Sequence, residues 1–569
     1  MSVLGRKWII KNNLNTESIL NVLLENRGLL SDDDKQAFLK TDEKTNFHDP
    51  FLMKDMEKSV KRIMEAIEKN ERIIIFGDYD VDGLTSAAIV YKSLKKLNAD
   101  HSVRLPNREK DGYGLSKKFI EEFIKLEIKL IITVDCGISC ANEVSFAKKN
   151  GIDTIITDHH AIPENFPSDA YSINHPKQKD CTYPFSELTG AGVALKLAHA
   201  LFIWNLGEKE AEEEIEYLIE LAALGTIGDI GIMQGENRFI VKRGLNNLIK
   251  TKSPGLKFLK ELAGITEENG KEITVTSVGY QLAPRINAAG RIGDPYSALR
   301  LLIGNDEKSI FKYGRELEEL NQKRQKMTEE TLTQVLEKFE ELKQKNALPY
   351  ILIAEDPSWH VGIIGLSASK LAEKFNRPAI IMQDNGEVLV ASARSIESFD
   401  ILEAITKFKD YLVTFGGHKE AAGFTIKKEN LEKFKKEISK YAKDQLKDKD
   451  LRPTLCIDCE LKEENITDNL IEDIWKLKPF GVRNSRPLFM LKNVKPHFAG
   501  TVGKNADHVK FTAEIGSSIL PVIGFRLGEH VNAIREHDCI DIACHVEFNT
   551  WNNSKTLQLE LVDFRESNI

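Results

Sequence analysis

Three short apolar runs in the first third of the chain each hand over to aspartate, and no other feature of the sequence narrows the fold so far. ERIIIFG (71–77) runs into Asp78, KLIITVD (129–135) ends on Asp135, and DTIIT (153–157) runs into Asp158. Continuous β-branched runs of this length are the pattern of strands buried on both faces. HSVRLP (101–106) and AYSIN (170–174) add two more, and segments with helical apolar spacing at 85–97, 117–126 and 141–150 lie between them. Strands alternating with helices predict a parallel, doubly wound α/β sheet. The C-terminal ends of its strands share the one edge at which such sheets bind ligands.

That edge is acidic. In FGDYDVDG, Asp78, Asp80 and Asp82 occupy alternate positions of a turn that Gly77 and Gly83 permit. Asp158 is followed by His159 and His160, and Asp229 lies in GTIGDIG after a helical stretch. An aspartate at a strand end is ordinarily a helix N-cap. Six aspartates and two histidines converging on one crevice are another matter, because so many carboxylates cannot stay ionised side by side without cations. Oxygen-rich ligands with one or two imidazoles suit Mn²⁺ or Mg²⁺ rather than a thiolate zinc site. Two such ions about 3.5–4 Å apart would activate a water and stabilise the leaving oxygen of a phosphoester. One aspartate shared between the ions is the natural bridge. A histidine outside the metal shell is a candidate to stabilise charge on the scissile phosphate or to pass a proton.

The chain of 569 residues is long enough for three or four domains. After a helical stretch at 186–250 and an irregular region, a charged helix at about 306–346 would span roughly 60 Å and bridge two domains. A second α/β unit follows, with YILIAED (350–356), a helix near 362–374, PAIIMQ (378–383), VLVASAR (388–394) and a charged helix at 429–448. Arg452-Pro453 marks a boundary, and the short alternating strands beyond it predict a small β-barrel. No apolar stretch approaches the roughly 18 residues that cross a bilayer, the N-terminus turns polar too soon for a secretory signal, and seven cysteines without framework spacing fit a reducing compartment. A cytoplasmic monomer with no membrane contact is expected. The net charge of −8 excludes global attraction to nucleic acid but allows a local basic groove. No GxxxxGK[ST] loop supports ATP-driven unwinding, and Cys456, Cys459, Cys539 and Cys544 read as structural cysteines rather than zinc ligands.

The motifs together resemble the DHH phosphoesterase superfamily: Asp158-His159-His160, DYDVDG upstream, and Asp135 and Asp229 in place. FGGHKEAAGF (415–424) resembles the signature of the associated DHHA1 domain, while LAPRINAAGRIGDP (282–295) and PFGVRNSRP (479–487) resemble stretches of the RecJ branch and the start of its OB-like domain. The resemblance implies an N-terminal helical extension (1–45), a DHH catalytic domain (46–235), a connector with the linking helix (236–346), a DHHA1 domain (347–450) and an OB-like nucleic-acid-binding domain (451–569). It also implies a 5′-to-3′ exonuclease specific for single-stranded DNA that releases mononucleotides in recombination and repair. A helicase and a single-strand-binding protein would be its partners. Asp80, Asp82, Asp135, His159 and Asp229 match metal-ligand positions of the superfamily. Asp78 and His160 match positions that are ligand or catalytic, and Asp158 is expected to orient the histidines after it.

For the substrate, Gly416 and Gly417 would let backbone approach a phosphate, and His418 would contact the scissile phosphate. Arg108 resembles a position that, with Ser392 and Arg394, holds a terminal 5′-phosphate. Arg285, Asn287 and Arg291 are further phosphate candidates. Residues 476–510 carry eight basic side chains and one acidic one, interleaved with Phe480, Phe489 and Phe498, as a sequence-tolerant single-strand groove requires. Phe480, Arg483 and Asn484 are its candidate contacts, although two of the three phenylalanines are expected to fill the barrel core. The rival within the superfamily is a phosphodiesterase of short oligonucleotides or cyclic dinucleotides, which would need neither the barrel nor the long helix.

Overall fold

The strands at 73–77 and 130–134 are isoleucine-rich and fully buried, which is what a position between two helical layers demands. In the computed structural model, which describes residues 2–11, 18–41, 46–108, 111–112, 114–265, 272–551 and 554–567, they form the middle of a parallel sheet. Its strands are β1 (Ile73–Gly77), β2 (His101–Arg104), β3 (Leu130–Val134), β4 (Asp153–Thr157) and β5 (Ser172–Asn174). All four pairings are parallel and the spatial order is β2-β1-β3-β4-β5. The order reverses between β1 and β3, so the topological switch point falls where Asp78 and Asp135 leave their strands. One face of the sheet is closed by Phe76, Phe119, Ile120, Phe123, Ile131 and Ile156, all fully buried. Each such side chain contributes about 1.5–3 kcal/mol by leaving water. Helices Val81–Lys96, Gly190–Leu206 and Glu208–Gly228 pack on one another and support the crevice.

The region expected to be irregular is helical. Pro254–Leu262, Ala283–Ile292 and Pro295–Ile303 are α-helices, and a π-helical turn, Val278–Leu282, precedes the second. Pro254 and Pro295 sit in the first turn of their helices, where a missing N–H costs nothing, whereas Pro284 directly follows the π-helical turn within a continuous helical run. The long helix is Glu307–Gln344, 38 residues or about 57 Å. It buries Ile310, Gly314 and Leu317 near one end, and Val335 and Phe339 near the other. The last two share a core with Leu352, Trp359, Leu371 and Phe375.

A second sheet has the order β9-β10-β8-β7-β6, with β6 (Leu352–Asp356), β7 (Ala379–Asp384), β8 (Val388–Arg394), β9 (Leu412–Gly417) and β10 (Ala421–Lys427). Only β6–β7 is parallel. Both sheets lie in one unit, Lys44–Gly231 with Gly235–Leu451.

The other unit is Met1–Glu43, Ile232–Gln234 and Arg452–Ile569. Here β11 (Phe489–Val502), β12 (His508–Ile515), β13 (Ser518–Gly524), β14 (Ile540–Trp551) and β15 (Ser554–Glu566) close into a barrel, with β13–β15 parallel and the β11–β14 pairing completing the ring. The N-terminal extension is not separate from it. Strand Lys7–Ile10 pairs in parallel with Thr454–Ile457, and Val22, Leu23, Leu24 and Phe38 lie in the barrel's own core. Partners more than 440 positions apart leave no local signal.

Candidate metal centre

Each acidic side chain is positioned by the element that ends or begins beside it. Asp80 is the N-cap of helix Val81–Lys96, its Oδ1 accepting from the Gly83 N–H at 3.0 Å. Asp78 accepts from the Tyr79 N–H at 2.7 Å. Asp82 accepts from the N–H groups of Gly190 (2.7 Å) and Ala191 (2.9 Å), so the start of helix Gly190–Leu206 holds its carboxylate. Asp135 takes a left-handed backbone conformation, φ 59°, which turns the chain away from β3 directly after the switch point. Asp229 caps the C-terminus of helix Glu208–Gly228.

Asp158 organises the histidines. Its Oδ1 accepts from the N–H of His159 (2.7 Å) and of His160 (3.1 Å) and pairs with Nδ1 of His160 at 2.7 Å, while Oδ2 accepts from the Ile138 N–H at 2.9 Å. The Nε2 atom of His159 then lies 3.1 Å from Oδ1 of Asp135, and 3.8 Å from carboxylate oxygens of Asp82 and Asp229. Three groups of potential ligands overlap: Asp78, Asp80 and Asp135; Asp82, His159 and Asp229; and Asp135, His159 and His160, with ligand atoms within 4.8 Å of one another in each.

The electrostatics follow from this crowding. Burial, then Asp80, pushes Asp78 up to about 8 and Asp229 up to about 7. Asp82 and Asp135 are driven well above the carboxylate range by burial and by their acidic neighbours. Burial also opposes ionisation of Asp158, but the hydrogen bond from His160 prevails and holds it at about 2. Burial works against the charge on His160, yet Asp158 raises it to about 9. His159, buried and beside His160, falls to about 3. Among the described residues, the basic side chain within ion-pair distance of Asp82, Asp135 and Asp229 is His159, which is uncharged at neutral pH, and no lysine or arginine pairs with them. Oδ1 of Asp135 and Nε2 of His159 are buried without a hydrogen-bond partner. Orphaned oxygen and nitrogen donors amid repelling carboxylates fit divalent cations with oxygen-preferring chemistry.

The structure brings Asp78, Asp80, Asp82, Asp135, Asp158, His159, His160 and Asp229 together. It also shows what sequence reasoning missed. A Cβ on Gly190 would stand 2.5 Å from Oδ1 of Asp135, and one on Gly225 would stand 2.6 Å from Oδ1 of Asp82. These glycines, visible in the sequence only as breaks in a helical pattern, make room for the carboxylates. The side chain of Asn287 accepts from the Val81 N–H at 2.9 Å, which directs it to the start of the acidic helix.

Several arginines gather beside the acids. Burial first, then Arg108, Arg324 and Arg394, lowers Arg291 to about 10, and Arg394 is lowered by burial and Arg108. Arg394 donates to the hydroxyls of Ser392 and Ser369 at 3.1 Å each. Arg108 stacks over the Tyr79 ring at 5.4 Å; its loop neighbours 109, 110 and 113 lie outside the described residues. Arg324 carried no sequence signal beyond its charge. Arg285 stands apart, engaged by Glu318 at 2.6 Å and by the carbonyls of Gln281 and Leu262. Gly416, Gly417 and His418 form the exposed end of the β9–β10 hairpin, where the His418 N–H donates to the Ala421 carbonyl at 2.8 Å.

In the barrel unit, Phe489 is fully buried, Phe480 packs against the core and Phe498 is 94% exposed. Asn484 is buried, its amide donating to the carbonyls of Leu477 and Pro479 and its oxygen accepting from Arg27, so it braces its loop and has no surface for a nucleotide. Arg483 is exposed. Of the basic residues at 476–510, Lys476, Arg486, Lys492 and Lys495 are engaged by acidic side chains, which leaves the groove less charged than the sequence suggests. Trp475 is an aromatic that the sequence did not single out: 45% exposed, edge-on to Phe548, with the ammonium groups of Lys478 and Lys555 at 5.7 and 5.1 Å.

Comparison with known proteins matches residues 72–226 to the DHH family N-terminal domain, 348–444 to the DHHA1 domain and 457–563 to the RecJ OB domain. The chain is 38% identical to the single-stranded-DNA-specific exonuclease RecJ of Bacillus subtilis (strain 168), over 95% of this chain and 67% of that protein. It is 30% identical to the Haemophilus influenzae protein of the same description, over 99% and 98%. The crystal structure of RecJ with Mn²⁺ from Thermus thermophilus superposes on 99% of this chain and 80% of its own, with TM-score 0.80 at 27% identity. A second crystal structure of that protein, with Mg²⁺, gives TM-score 0.74 at 26% identity over 99% and 79%.

Proposed function

Because the chain belongs to the RecJ family, we propose that it is a metal-dependent exonuclease that hydrolyses single-stranded DNA from its 5′ end and releases mononucleotides, in recombination and repair. The observation that carries this reading is the pair of buried, unpartnered donors, Oδ1 of Asp135 and Nε2 of His159, 3.1 Å apart, with Asp82, Asp135 and Asp229 in no ion pair with a lysine or arginine among the described residues. Asp78, Asp80, Asp82, Asp135, His159 and Asp229 would hold two divalent cations, Mn²⁺ or Mg²⁺, with Asp135 common to two of the three ligand groups. Such ions, when bound, acidify a water and stabilise the leaving oxygen of a phosphodiester.

The chain's own residues supply the rest. Asp158 keeps His160 protonated and oriented, which suits it to stabilise charge on the scissile phosphate or to donate a proton. Arg108, Arg291 and Arg394, with Ser392, gather guanidinium groups whose mutual repulsion a phosphate dianion would relieve. Arg324 joins that set, while Arg285 and Asn287 shape the helices that carry it. The exposed hairpin at Gly416, Gly417 and His418 is an accessible backbone for a phosphate. In the barrel unit, Phe498, Trp475, Arg483, Lys504 and Lys510 are the groups available to stack bases and follow a backbone.

An enzyme that needs a free single strand works with a helicase that provides it and a protein that keeps it extended; both belong to this proposal. So does a cytoplasmic setting as a monomer, which agrees with seven unpaired cysteines. Among the described residues, no helix is long and apolar enough to cross a membrane. The test is degradation of 5′-labelled and 3′-labelled single-stranded oligonucleotides and of a blunt duplex, with and without Mn²⁺. Metal-dependent loss of the single strand from its 5′ end, absent in Asp135→Ala, is expected; digestion of the duplex at the same rate, or unchanged activity in that variant, overturns the reading.

A further inference from the structure

We propose that His175 is a positioning residue of the metal centre: its ring, seated in the turn after β5, holds the peptide carbonyl of His160 and with it the orientation of both histidines in the Asp158–His160 loop. The proposal rests on the reading of that loop as part of a metal site. His175 is fully buried. Its Nδ1 accepts from the Lys177 N–H at 3.1 Å, which an unprotonated nitrogen alone can do, so the ring proton sits on Nε2. From there it donates to the carbonyl of His160 at 2.8 Å.

The same turn reaches the two residues before. Lys177 Nζ donates to the carbonyl of His159 at 3.4 Å, and the carbonyl of Asn174 accepts from the Asp158 N–H at 3.2 Å. Residues 174–177 thus tie three consecutive backbone positions of the loop, while the Asp158 carboxylate ties it from its own side chain. Of the three ties from the turn, the one from His175 is the shortest and comes from a side chain with no exposure. The consequence lies in the aim of the rings. His159 and His160 are packed at 4.5 Å between centroids, and Nε2 of His159 must keep its place against Asp135. A ligand that drifts by more than about 0.5 Å loses its productive geometry. Without a donor at this point the part-buried carbonyl of His160 loses this partner, and the 160–161 peptide is free to turn toward another. Outer residues that orient metal-binding imidazoles act in this way, though commonly through the ring rather than the peptide.

The test is Mn²⁺ binding to the full-length chain, read as loss of the free-ion electron paramagnetic resonance signal, in wild type, His175→Leu, His175→Gln, His175→Asn and Asp135→Ala. Glutamine places an amide N–H where Nε2–H was; asparagine stops short at the Nδ1 position. His175→Leu and His175→Asn are expected to weaken Mn²⁺ binding about tenfold or more, and His175→Gln to stay within about threefold of wild type. If the leucine variant does not fold, the glutamine and asparagine pair carries the comparison. Wild-type affinity in His175→Asn, or a glutamine variant as weak as asparagine, overturns the positioning role. A wild-type chain that binds Mn²⁺ no better than Asp135→Ala overturns instead the metal reading on which it stands.

Discussion

Asp135 concentrates the chemistry of this chain at one residue. It is buried, sits in a left-handed backbone conformation, repels four neighbouring carboxylates and meets His159 with an oxygen that nothing else satisfies. Such a residue is costly to folding and is retained for what it holds. In metal-free protein, Asp135→Asn should therefore raise stability, since it removes a buried carboxyl that its acidic neighbours repel when it ionises. The same variant should lose metal-dependent nuclease activity. Denaturant melts in a chelator, paired with a nuclease assay, check both halves; a less stable apo variant would show that repulsion does not dominate there. The aspartates of DYDVDG and the Asp-His-His run were legible in the sequence because they follow a strand, cap a helix or lie in its first turn, and those roles are local. His175 and Arg324 were not, since their significance lies in a carbonyl and a cluster of arginines contributed by distant segments, and Asn287, read from the sequence as a phosphate contact, instead accepts from the N–H at the start of the acidic helix.

At the scale of the element, the crevice depends on helices that come unusually close. The carboxylates of Asp82 and Asp135 lie against helices Gly190–Leu206 and Glu208–Gly228 at Gly190 and Gly225, where a methyl group has no room. Gly190→Ala is expected to displace the Asp135 carboxylate and to cost about 10–100-fold in Mn²⁺ affinity, with little change in melting temperature. Isothermal titration alongside a melt separates the two. Farther down helix Gly190–Leu206, Lys196 is fully buried with Glu236 at 2.5 Å, its ammonium also donating to the His48 carbonyl and lying 3.2 Å from the centre of the Phe47 ring. Glu236 accepts in addition from the Tyr183 hydroxyl and the His48 N–H. Glu236→Gln should cost about 3–5 kcal/mol at pH 7, because it strands a buried ammonium. Burial lowers Lys196 to about 8 from 10.5, so the unfolded chain binds the extra proton between those values and stability rises with pH through that window. The deficit of the variant should accordingly shrink from pH 7 to pH 10 in urea melts.

Across the whole molecule, catalysis and grip on the strand are assigned to separate units, and the second assignment changed most between sequence and structure. The basic run at 476–510 looked like a continuous charged groove, yet half of it is engaged by glutamates and an aspartate. Phe489, which reads like Phe498 in the sequence, is core, while Phe498 projects into solvent. Phe498→Ala should weaken single-strand binding by about 1–3 kcal/mol if a base stacks on it, with no loss of stability, since it packs on little. Fluorescence anisotropy with a labelled oligonucleotide decides; unchanged affinity removes Phe498 from the binding surface. Ion-paired lysines and free ones, or buried and exposed phenylalanines, have the same letters, and only the barrel's register distinguishes them.

What the chain's letters settle alone is the periodic part: which runs are strands, which edge they share, and that acids and imidazoles collect on it. Hydrophobic alternation and strand-end chemistry act over a few residues, so they can be read without coordinates. What folding decided is pairing at a distance: the N-terminal strand beside Thr454–Ile457, glycines hollowed around Asp82 and Asp135, and a histidine beyond β5 bracing the loop beyond β4. Those contacts are set by how whole layers pack, and packing is a property of surfaces that no single stretch of sequence contains.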